Sequence, residues 1–558
     1  MKNTPIDNRR GPDGPAAAQC PAAAGRGAGR GSIRTMIPGI LGVLLIMAGT
    51  AYALTGESPA PRTEEPWKFW VVIALMGVFG LGVIQSIHTY LRARRTIREQ
   101  IDKPRPTLED VRAIADDLQR PLPFILILVP ARNEAAVITN TVNRIASLDY
   151  PRDRYALMVI TDERELQDDV PEMTYDIATE MAKRLNVAAD PFLYVVDVPE
   201  WYSGTYGDDR MAPARSTKGR ALNYALQQVR DDPRLSRTDM IGVLDADGRL
   251  HREVLREVAH EVLTRNEKLM QGPVFQISNF SDVDMAGKAA GIELSIYHLS
   301  TLSRQLLSRR NTMRFLAGTN YFIDRKLMLE VGGWNEKALV EDAELGMRVF
   351  LHSRITPAWL SCYEIEQTPP DRKVYLRQRE RWATGHFQLL PMIRKSSLPL
   401  HTKIYLHGKV LYAALKSGYD IGLPVLGWLA LALGWTKAMP ASAGWLMLGL
   451  LVGSVFVWDF FGRGMRMLNK YCPVRQEKWA MRLLTLRFVV AMPWLILLQA
   501  QPRIVAMWKY VTRQHNGHWA KTIRTAETHS EPTPATQLTS TPVDTADVED
   551  HVVTEQPR

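Results

Sequence analysis

The chain has 558 residues and a formal net charge of +10, and 46 % of its residues are hydrophobic. This length allows about three or four domains, and the positive charge suits anionic lipid, anionic substrates or nucleic acid. No zinc-finger spacing and no RNP-type aromatic motif occurs, which argues against nucleic acid as a partner. Cys20, Cys362 and Cys472 lie far apart, so they predict neither a disulfide framework nor a CxxC metal motif and suit a reducing compartment.

Two apolar segments near the N terminus predict a transmembrane hairpin over residues 36–91. Before them, residues 1–35 are rich in Gly, Pro, Ala and Arg and predict a disordered cytoplasmic tail. Residues 36–54 and 69–91 are each long enough to cross a hydrocarbon layer of about 30 Å as helices. Basic residues lie before the first segment and after the second, so the positive-inside rule predicts that both flanks are cytoplasmic.

A second interpretation of the N terminus treats residues 36–54 as a signal peptide that is cleaved near Ala51-Tyr52-Ala53. It does not change the location of the segments that follow, because residues 69–91 alone would place Arg92 on the cytoplasmic side. Residues 92–119 are then a juxtamembrane linker.

Residues 120–390 predict a cytoplasmic α/β domain. Short apolar runs alternate with segments of helical spacing, a pattern typical of a mostly parallel sheet covered by helices. The runs are FILILVPA (124–131), YALMVITD (155–162), FLYVVDV (192–198) and MIGVLDAD (240–247). Ligands of such folds bind at the carboxyl ends of the strands, and polar residues of this chain cluster there.

Residues 391–512 predict interfacial helices and a C-terminal transmembrane region. The apolar segments cover about 404–435, 441–461 and 483–500. The segments 462–482, interpreted as a loop, and 503–524 are basic and are predicted to be cytoplasmic. Three crossings cannot satisfy both predictions. Either the amphipathic part 404–419 also enters the bilayer, or one apolar run is re-entrant or interfacial.

The C-terminal end divides into two short predicted segments. Residues 513–524 contain HWAKT (518–522), and residues 525–558 are acidic, contain Pro and Thr, and predict a disordered tail. 

Acidic clusters lie where predicted strands or loops end. They are found in PARNE (130–134), TDE (161–163), DAD (245–247) and VED (340–342). Each cluster alone is weak evidence, because acids in surface loops are common and often cap helices. Asp245 and Asp247, if they continued a regular strand, would point to one face and could converge on a single cation. His251 is a candidate further ligand or a surface histidine.

The segment RQRERWATGHFQ (377–388) predicts a charged helix with an unusual face. Gln378, Arg381 and Trp382 fall at i, i+3 and i+4, so an amide, a guanidinium and an indole share one side. These residues alone do not distinguish a functional face from a solvated helix with a chance aromatic residue.

The order of these motifs resembles the membrane-bound family 2 glycosyltransferases of the cellulose synthase, hyaluronan synthase and chitin synthase group. The stretches KGRALN (218–223), QGP (271–273) and FLAGTN (315–320) strengthen the resemblance. It implies an α/β GT-A fold, with a mixed and mostly parallel sheet, between N- and C-terminal transmembrane helices. It also implies a nucleotide-sugar donor, a Mg²⁺ or Mn²⁺ cofactor and inversion at the anomeric carbon.

The resemblance also implies roles for residues at the donor side. Ala131, Arg132 and Glu134 would frame the nucleotide, and Asp162 would bind its base or ribose. Lys218 would reach a phosphate. Asp247 would be a direct metal ligand, and Asp245 would bridge nucleotide and metal.

On the acceptor side the resemblance implies that Asp342 is the general base. Val340 replaces the Thr or Ser that usually opens this motif, which slightly weakens the role of Glu341 but not that of Asp342. Gln378 and Trp382 would bind the terminal sugar of the acceptor, and Arg381 the departing diphosphate. Trp334 is expected to pack in the core or to line the acceptor pocket.

A gating role over the donor is a further expectation for the segment 513–524. It would involve Trp519, Lys521 and Thr522; a basic interfacial tryptophan anchor is the alternative.

The leading expectation is a processive synthase in the inner (plasma) membrane, multi-pass, with a cytoplasmic catalytic domain. It would polymerise sugar from a UDP-sugar, with UDP-glucose favoured over UDP-N-acetylglucosamine, onto a growing β-linked glycan and translocate the product past membrane lipid, towards periplasmic or outer-membrane export partners. QxxRW favours this processive activity. The alternatives are a non-processive enzyme that glycosylates a lipid acceptor and a catalytically inactive membrane scaffold or transporter component.

Overall fold

Buried runs of branched side chains form the centre of the molecule. The computed structural model describes residues 66–168, 170–186, 191–202, 217–308, 313–432 and 457–512. The strands in these ranges are β1 Ile125–Pro130, β2 Tyr155–Asp162, β3 Leu193–Val198, β4 Met240–Val243, β5 Arg249–Leu250, β6 Leu269–Gln271, β7 Val274–Gln276, β8 Tyr321–Asp324, β9 Ala358–Trp359 and β10 Glu364–Glu366.

Helices cover these strands and continue on either side of them. Before the first strand lie α1 Pro66–Thr96, which continues as a π-helical turn Ile97–Ile101, and α2 Leu108–Asp117. Among and after the strands lie α3 Ala135–Ala146, α4 Thr174–Leu185, α5 Lys218–Asp231, α6 Val254–Arg265, α7 Met285–Tyr297, α8 Ser303–Leu306, α9 Arg325–Glu330, α10 Glu341–Ser353 and α11 Arg372–Phe387. The C-terminal helices are α12 Leu390–Lys395, α13 Leu400–Ala432, α14 Phe460–Leu468 and α15 Lys478–Val511.

The main sheet has the strand order β3-β2-β1-β4-β8-β6-β9. Strand β1 pairs in parallel with both neighbours, so that Ile127 lies opposite Leu157 and Gly242. Strand β8 runs antiparallel to β4 and β6, which makes the sheet mixed but mostly parallel. A second sheet has the order β5-β10-β7. The predicted fold class is confirmed.

Alternation along β1 divides the core into two layers. Ile125, Ile127 and Val129 pack with residues of α3, α4 and α6 on one face. Leu126 and Leu128 pack with residues of α5, α9 and α10 on the other. Successive strand side chains point to opposite faces, so a strand buried on both faces reads as one continuous apolar run.

The apolar helices differ in extent from the predicted segments. Helix α1 contains the predicted segment 69–91, whereas residues 36–54 lie outside the described residues. The amphipathic part 404–419 and most of the apolar run after it form one continuous helix, α13. Within the described residues, two helices are long and apolar enough to cross a membrane, Trp67–Ile101 and Lys478–Val511. They suggest membrane association.

The segment 462–482, interpreted as a loop, is helical at both ends and non-helical over 469–477. Its first part belongs to α14, where Phe461, Met465 and Leu468 share a buried face. This face packs on α7, and a Cβ added at Gly464 would lie 2.5 Å from Ile292 Cγ2. The basic residues between the apolar positions obscured the helical period in the sequence, and glycine permits the close approach of the two helices.

Helix α15 is held against the α/β unit near both ends. Gln476, just before it, donates to Ser281 Oγ at 3.2 Å, and Lys509, near its end, donates to Glu380 of α11. One face of α15 is buried, and the opposite face carries an exposed apolar stripe at helical spacing, interrupted by the polar Gln501. The stripe consists of Trp479, Leu483, Leu486, Val490, Trp494, Leu497, Ile504, Trp508 and Val511.

Candidate active site

A cavity of about 1590 Å³ lies between the carboxyl ends of β1, β2 and β4 and the helices α1, α11, α13 and α15. It is lined by nearly all of the predicted site residues: Ala131, Arg132, Glu134, Asp162, Lys218, Asp245, Glu341, Asp342, Gln378, Arg381 and Trp382. Asp247 is fully buried behind the wall. Trp519, Lys521 and Thr522 lie outside the described residues.

Three carboxylates converge at the end of β4. Asp245, Asp247 and Glu366 each offer an oxygen, and these atoms lie within 4.8 Å of one another. Asp245 and Asp247 do not continue a regular strand, because β4 ends at Val243 and the DAD residues form a turn. In this turn the Gly248 N–H donates to the Asp245 carbonyl oxygen at 2.9 Å. The turn, and not strand alternation, brings the two aspartates together.

The cluster of three carboxylates fits a hard divalent cation. Carboxylate oxygens are the ligands that Mg²⁺ and Mn²⁺ prefer, and the three side chains come close enough to share one ion. Sequence reasoning missed Glu366, which follows Asp247 by more than a hundred residues and enters the site through β10 of the second sheet. No local signal distinguishes it from other buried acids.

A buried hydrogen-bond network supports the cluster of three carboxylates. The Asp245 N–H donates to Thr319 Oγ at 3.0 Å, and Thr319 donates to Glu364 at 2.8 Å. Burial raises the pKa of Glu364 well above its ordinary value, and the charges of Glu366 and Asp245 add to this. Gln271 of QGP donates to the Thr319 carbonyl oxygen at 2.8 Å, so the QGP and FLAGTN stretches meet here.

Lys218 connects the DAD turn to the loop below Asp342. Its ammonium group donates to the Asp245 carboxylate and, at 2.7 Å, to the Gly318 carbonyl oxygen. Burial opposes the charge, but Asp245 and Glu341 outweigh it and raise the pKa of Lys218. Gly318 has a φ of +80°, and a Cβ there would lie 3.3 Å from Asp342 Oδ2. The lysine and Asp342 therefore approach the same loop from two sides.

Glu341 and Asp342 occupy the first turn of α10. Burial raises the pKa of both groups, and in Glu341 the neighbouring Asp342 adds to the effect and brings the pKa to about 7. A carboxylate with a raised pKa binds a proton more readily, which suits it to accept one from a hydroxyl. The pair can therefore supply a base at the wall of the cavity.

Asp162 lies at the end of β2 and is bound to Arg220. Its Oδ2 lies 2.9 Å from Arg220 Nη1, and both side chains are almost completely buried. Its other oxygen accepts from the Arg164 N–H at 3.1 Å. Arg220 belongs to KGRALN and also donates to the Tyr202 carbonyl oxygen at 2.8 Å. Sequence reasoning did not single out this arginine, because its partner is distant in the chain.

The PARNE segment forms the wall beside Asp162. The Ala131 N–H donates to the Ile160 carbonyl oxygen at 2.8 Å, so the segment continues along β2. Arg132 forms an ion pair with Asp168 at 2.6 Å. Glu134 precedes α3, and its N–H donates to Thr174 Oγ at 2.9 Å.

The predicted face of α11, formed by Gln378, Arg381 and Trp382, lines the cavity. The same helix also contacts the loop before α10. Arg381 donates to the Leu339 carbonyl oxygen at 3.3 Å, and Gln388 accepts from the Leu339 N–H at 3.0 Å. A Cβ at Gly385 would lie 2.6 Å from Val340 Cγ2. The valine that replaces a hydroxyl residue is therefore an apolar contact to α11.

Two other candidate residues, His251 and Trp334, are not part of the cluster of three carboxylates. His251 Nδ1 lies 3.8 Å from Cys362 Sγ and 3.9 Å from Glu253, and burial lowers its pKa to about 4. Trp334 is fully buried, and its Nε1 donates to the Tyr321 hydroxyl at 2.8 Å. Trp334 is a core residue.

The mixed sheet, with the acidic cavity at its strand ends, has a GT-A-like fold. The family described as Glycosyl transferase family group 2 matches residues 240–512, which include the DAD turn, the VED motif and QRERW. The match covers just under half of the chain, and this part of the chain is similar to the family 2 glycosyltransferases.

Two curated relatives are each similar to about half of the chain. The chain is 26 % identical over 322 residues to a β-monoglucosyldiacylglycerol synthase of Synechocystis, covering 58 % of this chain and 57 % of the relative. It is 24 % identical over 269 residues to a probable glucomannan 4-β-mannosyltransferase of Arabidopsis thaliana, covering 47 % of this chain and 43 % of the relative. The matches thus span about half the length of the curated relatives.

A solved structure is similar at a lower sequence identity. It is a mannosyltransferase from Pyrobaculum calidifontis in complex with GDP-mannose and Mn²⁺, 17 % identical, with a TM-score of 0.42 over 81 % of this chain and 99 % of that one.

Proposed function

We propose that the protein transfers a sugar from a nucleotide diphosphate sugar to a lipid acceptor at the membrane surface. The observation that carries this proposal is the continuity of the cavity. One uninterrupted cavity extends from the cluster of three carboxylates to the long apolar helices. A hydrophilic donor and an amphiphilic acceptor could therefore meet in one space.

The wall of the cavity changes from polar to apolar along the helices. On α15 the lining residues Met492, Ile496, Gln499 and Arg503 form one helical stripe that starts apolar and ends charged. On α1 the lining residues Phe79 and Val83 are likewise followed by polar ones. Such a gradient suits a molecule with an apolar tail and a polar head. The Synechocystis relative, whose name specifies a glycosylated diacylglycerol, supports the same acceptor class.

At the donor end, the residues of this chain would bind and orient the nucleotide diphosphate. Asp245, Asp247 and Glu366 would hold Mg²⁺ or Mn²⁺, which supplies positive charge that stabilises the leaving diphosphate. Lys218 would add a second positive charge beside Asp245. Asp162, held by Arg220, and Arg132 would orient the base and ribose.

At the acceptor, Asp342 would act as the general base. It would take the proton of the attacking hydroxyl while the new bond forms at the anomeric carbon and the bond to the diphosphate oxygen breaks. The electron pair leaves with the diphosphate, which Arg381 would bind. Attack from the face opposite the leaving group inverts the anomeric configuration. Trp382 would provide an apolar surface for the acceptor.

Processive synthesis from a UDP-sugar, with UDP-glucose first, is a second candidate. It is favoured by Gln378, Arg381 and Trp382, which keep the QxxRW spacing and line the cavity. The Arabidopsis relative, whose name specifies a glucomannan product, supports it. The apolar wall favours the lipid acceptor over this candidate.

The test compares the products directly. The purified full-length protein would be incubated in detergent–diacylglycerol micelles with individual radiolabelled UDP-sugars and Mn²⁺, and the label partitioned between organic and aqueous phases. We expect a single-sugar lipid in the organic phase, and no label there with the Asp342→Asn variant. A long polymer in the aqueous phase, without labelled lipid, would overturn the proposal in favour of processive synthesis.

A further inference from the structure

A lysine without a carboxylate partner lies in the apolar part of the cavity wall. Lys409 of α13 lines the cavity, and its ammonium group donates to the Met313 carbonyl oxygen at 2.9 Å. Its Nζ lies 4.7 Å from the centre of the Phe315 ring. Among the residues that the structure describes, no carboxylate forms an ion pair with Lys409. An ammonium group has three N–H donors, so this single hydrogen bond leaves donors for a ligand.

The side chains around Lys409 are mostly apolar. Leu406 and Val410, its neighbours on α13, belong to a buried cluster that also contains Phe350 of α10 and Phe387 of α11, and all four line the cavity. A donor enclosed by apolar side chains costs free energy if it has no partner. We therefore expect a bound ligand to bring an acceptor atom to the lysine.

Lys409 lies close to the acceptor side of the candidate transfer site. His386 follows Trp382 by one turn of α11, and its Nδ1 donates to the Trp382 carbonyl oxygen at 2.7 Å, since a carbonyl oxygen only accepts. The His386 ring packs edge-to-face on Phe315, with the ring centres 5.2 Å apart. Burial lowers the pKa of His386, and the charge of Lys409 lowers it further. The lysine and the histidine thus share the Phe315 ring next to Trp382.

The loop that contains Phe315 connects Lys409 with the candidate base. Gly318 lies three residues further along this loop, and a Cβ there would lie 3.3 Å from Asp342 Oδ2. An extended chain advances by at most about 3.3–3.6 Å per residue, so Phe315 and Gly318 lie within about 11 Å of each other. A small molecule whose hydroxyl reaches Asp342 can therefore extend a polar group to Lys409.

We propose that Lys409 donates a hydrogen bond to an ester carbonyl oxygen of a neutral diacylglycerol acceptor. This inference rests on the proposed function and specifies its acceptor as an ester-linked glycerolipid. The two ester groups of such a lipid stand on the carbons that follow the one with the free hydroxyl, so a hydroxyl at Asp342 brings a carbonyl oxygen near Lys409. A hydrogen bond from a charged donor is about twice as strong as one between neutral groups. An ether-linked dialkylglycerol has the same hydroxyl but no carbonyl oxygen, so Lys409 would discriminate against it.

The test measures lipid binding to the full-length protein in neutral detergent by titration calorimetry. The probes are 1,2-dioctanoylglycerol and its ether analogue, 1,2-di-O-octylglycerol. We expect the ester lipid to bind at least about tenfold more tightly, because only it accepts the charge-assisted hydrogen bond. Equal binding of the two lipids would overturn the inference, and this comparison needs no variant.

Variants identify the residue responsible. Lys409→Met keeps most of the apolar stem and removes the donors, so it should weaken binding of the ester lipid by about tenfold and leave the ether lipid unchanged. Lys409→Arg keeps a charged donor and should retain most of the preference. Lys403→Met is the matched control, because Lys403 lies on the same helix, donates to the Arg394 carbonyl oxygen at 3.0 Å and does not line the cavity. Loss of the preference in Lys403→Met as well would overturn the inference.

UDP binding separates Lys409 from the donor end of the cavity. It should be unchanged in all three variants, which also shows that they fold. Loss of UDP binding in Lys409→Met, with UDP binding retained in Lys409→Arg, would assign the lysine to the diphosphate and overturn the inference.

Transfer assays with the same two lipids separate this inference from the proposed function. Glycosylation of both lipids with equal kcat/KM, together with equal binding, would leave the proposed function standing and remove this inference alone. A polymer product would overturn the proposed function and, with it, the acceptor role of any lipid that Lys409 binds.

Discussion

The two ends of the cavity differ in charge and in how their side chains are held. At the donor end, Asp245, Asp247 and Glu366 lie in turns and strand ends that the sheet and buried hydrogen bonds fix. At the helix end, Lys409 projects from a long helix and brings positive charge to an apolar wall. Under the proposed function, the rigid donor end would bind one invariant group, the diphosphate. The helix end would bind the acceptor through side chains on packed helices.

Asp342 lies at the junction of the two ends. The Gly318 loop, bound by Lys218, contacts it from the donor side, and α11 holds the preceding Leu339 and Val340 from the helix side. Changes on either side should therefore be distinguishable by whether they alter donor binding, transfer or both.

The largest expected effect comes from removing the base at the junction. Asp342→Asn should lower kcat by about 10²- to 10⁴-fold, the usual contribution of a positioned base. UDP binding, measured by calorimetry, should change little, because the residue is assigned to the acceptor hydroxyl. A variant that loses UDP binding to the same extent as activity would place Asp342 at the donor end instead.

Next in size is the loss of a carboxylate at the donor end. Glu366→Gln should weaken Mn²⁺-dependent UDP binding by at least about tenfold, since even residues that only support metal ligands typically contribute 10- to 100-fold. Binding of UDP without metal is the control and should be unaffected. If Mn²⁺ titrations of variant and parent coincide, Glu366 is not a ligand and the donor end holds its ion by the two aspartates alone.

A smaller effect is expected from the contact between α11 and the loop before α10. Gly385→Ala places a methyl group 2.6 Å from Val340 Cγ2, and such overpacking typically costs about 1–3 kcal/mol. Displacement of Asp342 should lower kcat roughly tenfold with the donor KM unchanged.

The double variant Gly385→Ala/Val340→Ala should recover much of this loss, because the smaller side chain makes room for the methyl group. Gly418→Ala serves as the matched control, since nothing lies within 4 Å of the added Cβ and Gly418 does not line the cavity. No recovery in the double variant would show that α11 affects transfer by another contact.

The smallest effect concerns pH. Burial raises the pKa of Asp342, so the group is protonated, and inactive as a base, at a higher pH than an ordinary aspartate. Activity should therefore fall as pH decreases, with the midpoint of kcat/KM above about 4, the ordinary value. Metal-dependent UDP binding measured over the same range provides the donor-end reference. A kcat/KM profile that follows UDP binding throughout would assign the titration to the donor end.

Local patterns in the sequence were informative where local physics determines structure. Continuous apolar runs predicted β1 and β2, because strands buried on both faces need apolar side chains at every position. The spacing of Gln378, Arg381 and Trp382 predicted their shared face on α11, because helical periodicity requires it. Motif order likewise indicated the fold class.

Long-range packing determined the rest. The DAD aspartates converge through a turn and with Glu366, and Asp162 is bound to Arg220; no local pattern in the sequence encodes these contacts. The basic residues of α14 concealed a helix that forms because Gly464 lets it approach α7. Lys409 and Trp382 come from separate helices. The sequence by itself thus determined the elements and the order of the chemical groups, whereas only the tertiary structure decided which distant charges face one another. The reason is that secondary structure follows from the neighbours of a residue along the chain, but a charged site depends on which elements the core brings together.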